Sequence, residues 1–215
     1  MRMKTILCYG DSLTWGSNPD GGGRHPFEFR WPNALGAALG GGVEIITEGL
    51  RGRTTAFDDH LSESDRNGAR LLPTLLYTHA PVDLVILMLG ANDMKPAICG
   101  SAVGAMQGMR RLVKICRNDV AHDDIAVRPE VIIVAPPPLC ETADAEFAAM
   151  FAGGVEQSRM LGSLYADLAD ETGCGFFDAS TVARTSPLDG VHIDAAGTQA
   201  IGRALAPMAR LLLGV

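Results

Sequence analysis

Ser12 lies two residues beyond Gly10, directly after the short apolar run Ile6-Leu7-Cys8-Tyr9. A serine hydroxyl is a weak nucleophile at neutral pH. It needs a base to take its proton, an acid to orient that base, and donors for the oxyanion that forms on attack. The chain carries a residue of each type. Asp189-Gly190-Val191-His192 presents a carboxylate and an imidazole on one stretch, three residues apart. Histidine as a residue type titrates near neutrality, which suits proton transfer, and a carboxylate on its second ring nitrogen fixes the tautomer and stabilises the imidazolium. For the oxyanion, the backbone N–H of Ser12, the backbone N–H of Gly52 and the side-chain amide of Asn92 are the natural donors. Glycine at position 52 lets the backbone turn tightly and come close to a substrate. The chemistry this set supports is acyl transfer through a serine.

Residues so far apart in sequence meet only if the fold gathers them. Lys4 to Tyr9, Val43 to Thr47, Val82 to Leu89, Glu130 to Ala135 and Gly175 to Asp178 read as strands. The third, Val-Asp-Leu-Val-Ile-Leu-Met-Leu, is almost continuously apolar and fits a central strand covered on both faces. Between the strands run helical patterns. One opens at Trp31-Pro32, with proline in the first turn. Another carries Leu71, Leu72, Leu75 and Leu76, and a third is striped by Val103, Met106, Met109, Leu112, Val113 and Cys116. Such a methionine-bearing stripe reads as core filling. Ala143 to Asp170 reads as largely helical with a break at Gly153-Gly154, and a terminal helix starts with Asp194 as N-cap. Strand and helix alternate five times, which predicts an α/β fold: a three-layer α/β/α sandwich around a five-stranded parallel sheet, in one domain over 1–215. Ser12, Gly52 and Asn92 then follow the first three strands. In such sheets the carboxyl edge is where ligands bind.

Composition narrows the function classes. Hydrophobic residues at 47% and charged residues at 20% allow a sizeable core and exclude wholesale disorder. A net charge of -7 argues against nucleic acid and anionic membrane as partners. No apolar run approaches the roughly 20 residues of a membrane-spanning helix. The apolar run after Met1-Arg2-Met3-Lys4 is too short for a signal-peptide core and reads as the first strand. The five cysteines (Cys8, Cys99, Cys116, Cys140, Cys174) show no C-x-x-C pair and no zinc spacing, so free thiols and a cytoplasmic location are expected. Asp189, His192 and Asp194 lack a further strong ligand set, so neither metal nor cofactor is expected. A nucleotide-binding module is the distant alternative. Against it, neither G-x-x-x-x-G-K-[ST] nor G-x-G-x-x-G follows the first strand, and Asp11 there would repel phosphate.

Gly10-Asp11-Ser12-Leu13, Gly52, Gly90-Ala91-Asn92-Asp93 and Asp189-Gly190-Val191-His192 resemble, in order, the four sequence blocks of the SGNH (GDSL) hydrolases, over essentially the whole chain. Longer strings, Gly-Asp-Ser-Leu-Thr-Trp-Gly and Glu-Gly-Leu-Arg-Gly-Arg-Thr-Thr among them, are similar to the bacterial arylesterase group that includes the mycobacterial esterase/acyltransferase. The resemblance implies a flavodoxin-like SGNH fold. It implies Ser12 as nucleophile, His192 as base and Asp189 as its orienter, with Ser12, Gly52 and Asn92 as the oxyanion hole. It also implies short-chain acyl esters as substrates, aryl esters and acetylated sugars included, with acyl transfer to alcohols as the alternative outcome. A homo-oligomer, from dimer to octamer, is implied too, with contacts sought in 18–30 and 140–155. Two departures stand out. Arg51 replaces a small residue before the block-two glycine, and the loop from Ser17 to Phe29 is shorter than in the mycobacterial acyltransferase.

Other residues near these blocks have two readings each. Asp11 flanks the nucleophile and suits a loop anchor better than a second base. Leu13, Trp15, Lys95 and Ile193 lie beside the catalytic loops, where they either contact substrate or pack the loop. Phe147 and Phe151, one helical turn apart, fit an apolar wall over an acyl group or ordinary core packing. His25, His60, His79 and His122 have no acid at telling spacing and read as solvated surface residues. Arg51 and Arg53 read as partners of surface carboxylates such as Asp58 or Asp59.

Overall fold

The structure, a computed structural model, describes residues 2–119 and 128–215. His122 lies outside them. Five strands, β1 (Lys4–Gly10), β2 (Val43–Gly49), β3 (Leu84–Met88), β4 (Glu130–Ala135) and β5 (Gly175–Asp178), form one sheet. All pairings are parallel, in the order β2-β1-β3-β4-β5. The α/β fold with a five-stranded parallel sheet is therefore as expected. Among the described residues, eight α-helices connect or flank the strands: α1 (Ser12–Trp15), α2 (Trp31–Leu39), α3 (Gly68–Thr78), α4 (Ala102–Lys114), α5 (Ala145–Met150), α6 (Gly154–Ser158), α7 (Leu161–Thr172) and α8 (Ala195–Leu213).

Successive strand side chains point to opposite faces, so each apolar strand feeds two cores. Leu7 and Tyr9 of β1 with Val85 and Leu87 of β3 face α3, α4 and α7, where Leu72, Met109, Leu112, Tyr165 and Leu168 meet them. Ile6, Cys8, Leu84, Ile86 and Met88 face α2 and α8, against Trp31, Leu35, Ile201, Leu205 and Ala209. Every residue of β3 is buried, and each such side chain contributes roughly 1.5–3 kcal/mol of hydrophobic stabilisation. Helices α2 and α8 approach so closely that a Cβ on Gly202 would lie 2.2 Å from the Trp31 carbonyl oxygen.

β1 and β2 run on past the sequence reading, to Gly10 and Gly49, and three further boundaries differ from it. β3 is shorter, because Val82 and Asp83 precede the ladder and the chain turns away at Leu89. Ser12 opens a one-turn helix rather than a bare loop, with Asp11 as its N-cap. The segment 143–170 breaks twice. Gly153 adopts φ +75 before α6, and the second break follows Ser158, whose hydroxyl donates to Val155 O and accepts from Leu139 N. A serine so engaged competes with the helical ladder. Among the described residues, no helix is long and apolar enough to cross a membrane.

Candidate active site

β1 delivers Gly10 to the carboxyl edge, and the Asp11 carboxylate accepts the Leu13 N–H at 2.9 Å, fixing the turn that presents Ser12. On the far side of the edge, the loop before α8 is stitched by Ser186 N donating to His192 O at 2.7 Å and Cys140 N donating to Gly190 O at 3.0 Å. Within it, Asp189 Oδ1 accepts the backbone N–H groups of Val191 and His192 at 2.9 and 2.8 Å. The second carboxylate oxygen lies 2.7 Å from His192 Nδ1, and His192 Nε2 lies 2.9 Å from Ser12 Oγ. Burial pushes the Asp189 pKa up, but the bonds from the His192 ring and from the two backbone N–H groups outweigh it, and the net shift is downward. An ionised Asp189 takes the proton-bearing Nδ1, which leaves Nε2 to accept from the Ser12 hydroxyl.

The donors expected around an oxyanion are gathered beside Ser12. Gly52 sits at φ +82, a conformation that L side chains rarely adopt. Among the described residues, the backbone N–H groups of Ser12 and Gly52 donate to no protein acceptor. The Asn92 amide nitrogen donates to Arg53 O at 3.2 Å and makes a longer 3.4 Å contact with Asp11 Oδ2. Next to it Asp93 is fully buried and accepts the Thr55 N–H and the Thr55 hydroxyl. Burial pushes both Asp11 and Asp93 up to about 6, opposed by these hydrogen bonds.

Ser12 and His192 open into a cleft of about 760 Å³. Its lining combines apolar side chains, Phe147, Met150, Phe151 and Val191, with polar ones, Asn18, Arg51, Asp59, Arg66 and Lys95. Phe147 presents its ring edge-on to His192, centroids 6.1 Å apart, and stacks on Phe151 at 6.4 Å. Lys95 is over the Phe151 ring at 5.3 Å, and burial lowers its pKa.

Of the expected substrate contacts, Lys95, Phe147 and Phe151 line this cleft. Asp11, Leu13, Trp15 and Ile193 do not. Asp11 is buried beneath the nucleophile turn, Leu13 and Ile193 belong to the core, and Trp15 is held between the guanidinium groups of Arg24 and Arg51. Three surface assignments need correction. His25 is buried, its Nε2 2.8 Å from Ile193 O. His79 is half-buried and pairs with Glu48 at 3.0 Å. Arg53 is 3% exposed and binds backbone carbonyls rather than Asp58 or Asp59; Asp58 pairs instead with Arg70. The sequence reading passed over Arg53, Thr55 and Asp93 as site residues. The only signal was their adjacency to Gly52 and Asn92.

Residues 8–200 match the GDSL-like lipase/acylhydrolase family. The chain belongs to that family. This GDSL-like chain is accordingly a serine-type carboxylic ester hydrolase. Among solved structures it is similar to a carbohydrate acetylesterase family member from Sinorhizobium meliloti, at 61% identity and TM-score 0.96, covering 99% of this chain and all of that one. A putative arylesterase from Agrobacterium tumefaciens str. C58 shares 50% identity at TM-score 0.91, over 98% of this chain and all of the other. The M. smegmatis aryl esterase shares 39% at TM-score 0.91, with the same coverage. Among curated proteins, none matches.

Proposed function

We propose that this hydrolase cleaves short-chain acyl esters through an acyl-enzyme on Ser12, with acetylated carbohydrates and aryl esters as the substrate class. The unbroken Ser12–His192–Asp189 hydrogen-bond chain beside the donors of Gly52 and Asn92 carries this reading. Ser12 Oγ attacks the ester carbonyl carbon while His192 Nε2 takes its proton, and Asp189 stabilises the imidazolium. The C=O becomes an oxyanion facing the N–H groups of Ser12 and Gly52 and the second Asn92 amide proton, which turns to it from its long contact with Asp11 Oδ2. Collapse expels the alcohol, protonated by His192. Water then enters by the same route, returns the acid and restores Ser12. Among the lining side chains, the apolar Phe147 and Phe151 suit an acyl group, and the polar Asn18 and Arg66 suit a hydroxylated leaving group. The similarity to the S. meliloti carbohydrate acetylesterase family member and to the A. tumefaciens putative arylesterase supports the same reading.

Phe147, edge-on to His192, shields one side of the imidazole from water and favours a second reaction, transfer of the acyl group to an added alcohol. Product ratios in water–alcohol mixtures test it, and hydrolysis alone would reject it. We read 1–215 as one catalytic domain, its free thiols suited to a reducing cytoplasm. We also read it as a homo-oligomer: Phe27 and Met150, both exposed, lie in the segments 18–30 and 140–155. Sedimentation as a monomer at micromolar concentration would reject that.

The deciding experiment is intact-mass spectrometry with peptide mapping after brief exposure to a fluorophosphonate. One adduct on Ser12 is expected. No adduct from folded protein, or an adduct elsewhere, would overturn the mechanism.

A further inference from the structure

Each of the three proposed oxyanion donors comes from a different part of the chain, and one buried residue, Arg53, is bonded beside every one of them, through its side chain toward Ser12 and through its own backbone N–H and carbonyl toward Gly52 and Asn92. The Arg53 guanidinium donates through Nη1 to Gly10 O at 2.8 Å, at the end of the strand that presents Ser12. The same nitrogen donates to Glu48 O, at the end of β2. Gly10 and Glu48 lie at the carboxyl ends of the adjacent strands β1 and β2, so this bond fixes how the two ends sit relative to each other. Arg53 N donates to Leu50 O at 3.0 Å, closing the turn in which Gly52 adopts its positive φ. Arg53 O accepts from the Asn92 amide.

The guanidinium lies over the Tyr9 ring at 4.1 Å, on the core side of the sheet, and the residue is 3% exposed. It is absent from the cleft lining, so it has no path to substrate. Burial depresses its pKa, and the neighbouring Tyr9, Glu48 and Asp11 act to hold the charge. A planar, permanently charged head stacked on an aromatic face and bonded to two carbonyls is a rigid brace. A surface arginine making a substrate salt bridge would show neither the burial nor the carbonyl partners.

We propose that Arg53 is the positioning residue of the oxyanion hole: it sets the mutual placement of the Ser12, Gly52 and Asn92 donors without touching the substrate. The proposal rests on the acyl-enzyme reading above. Oxyanion donors act through geometry, aimed at where charge develops and not at the ground-state carbonyl. Loosening their brace therefore lowers kcat and leaves KM nearly unchanged. Loss of one well-placed donor lowers kcat by about 10²–10³-fold, and a misaligned set falls short of that.

The test compares wild type with R53M and R53K, each checked for folding by thermal melting and circular dichroism. The readouts are kcat and KM on p-nitrophenyl acetate, and inhibition by a boronic acid that forms a tetrahedral adduct on the serine. For R53M the expected result is a fall of about 10–10² in kcat, KM within about two-fold, and boronate affinity reduced in step with kcat. R53K keeps the cation, but its Nζ falls about where Cζ stood, one bond short of Nη1, so it is expected to recover part of the boronate affinity lost in R53M. A folded R53M with wild-type kcat and boronate affinity overturns the proposal; so does a loss confined to thermal stability. Where R53M does not fold, R53Q carries the test. Its shorter, neutral amide keeps a donor in the buried site but cannot reproduce the charged bonds to both Gly10 O and Glu48 O, and the same split between kcat and KM is expected; a folded R53Q with wild-type kcat and boronate affinity overturns the proposal. Fluorophosphonate labelling of wild-type Ser12 separates the two readings. Absent labelling sinks the acyl-enzyme mechanism, whereas normal labelling with an unaffected R53M sinks only the role of Arg53.

Discussion

At the amino end of β3, Asp83 accepts two bonds from the Arg2 guanidinium at 2.7 Å, one from Lys4 at 3.0 Å and one from Thr5 N at 2.9 Å. At the carboxyl ends of β1 and β3, Asp11 and Asp93 are buried still more completely, and among the described residues no cation lies in hydrogen-bond contact with them. Burial raises all three carboxyls. At Asp83 the bonds from Arg2, Thr5 and Lys4 outweigh it and the pKa falls, whereas Asp11 and Asp93 end at about 6. The amino edge is thus built for stability, with its charge fully paired. At the carboxyl edge the carboxylates accept only from uncharged donors, Leu13 N and the Asn92 amide at Asp11 and the Thr55 N–H and hydroxyl at Asp93, so their charge is less well compensated. Strain of this kind concentrates at functional sites.

If that division is right, substitutions at the carboxyl edge change turnover and those at the amino edge change melting. The largest effect belongs to S12A: kcat/KM on p-nitrophenyl acetate should fall by about ten-thousand-fold or more, with the melting temperature nearly unchanged. Near-normal activity would end the assignment of the nucleophile. N92A comes next, with kcat lower by about 10²–10³-fold and KM little altered. Equal losses in stability and kcat would show that Asn92 only holds its loop.

The amino edge should behave in the opposite way. D83N keeps one acceptor oxygen but loses the charge shared by Arg2 and Lys4, whose side chains are 43% and 35% exposed and can rehydrate. Solvent screening keeps the penalty to about 1–2 kcal/mol of unfolding free energy, read from urea titration, with kcat at the wild-type value. A drop in kcat would break the comparison, since it would couple the two edges.

Much of this division could be read from the sequence, because its signals are local. The apolar runs of β1, β3 and β4, halted by Gly10, Gly90 and Pro136-Pro137-Pro138, announce strand ends, and Asp189 and His192 share one loop. The α/β sandwich follows from that alternation. Arg53, by contrast, reads as a surface residue, since its burial is made by Tyr9 and Gly10, more than forty positions earlier. His25 hides for the same reason: the carbonyl it meets belongs to Ile193, at the other end of the chain. The break after Ser158 was hidden as well, because it depends on a bond from Leu139. The cleft lining was only partly visible. Proximity in sequence to Ser12 put Leu13 and Trp15 forward, but a one-turn helix sends their side chains into the core and under Arg24 and Arg51.

The smallest effect is the one that sets the two edges directly against each other, through pH. Asp83 has a folded pKa below its unfolded value, so its contribution to stability is present above the ordinary carboxylate range and is lost as pH falls through the folded value. Asp93 has the reverse sign. Its folded pKa of about 6 exceeds the unfolded value near 3.9, so between those limits the native state binds more protons than the unfolded chain. Its contribution is therefore fully present below about pH 4 and is lost as pH rises through about 6. D93N keeps an acceptor for Thr55 and cannot ionise. The melting temperature of D93N relative to wild type should climb as pH rises from about 4 to about 6 and then level off. D83N relative to wild type should instead gain ground only as the solution becomes more acidic than the ordinary carboxylate range. Parallel pH profiles for the two variants would mean that both edges hold their carboxylates in the same state, and the contrast between a paired edge and a working one would fail.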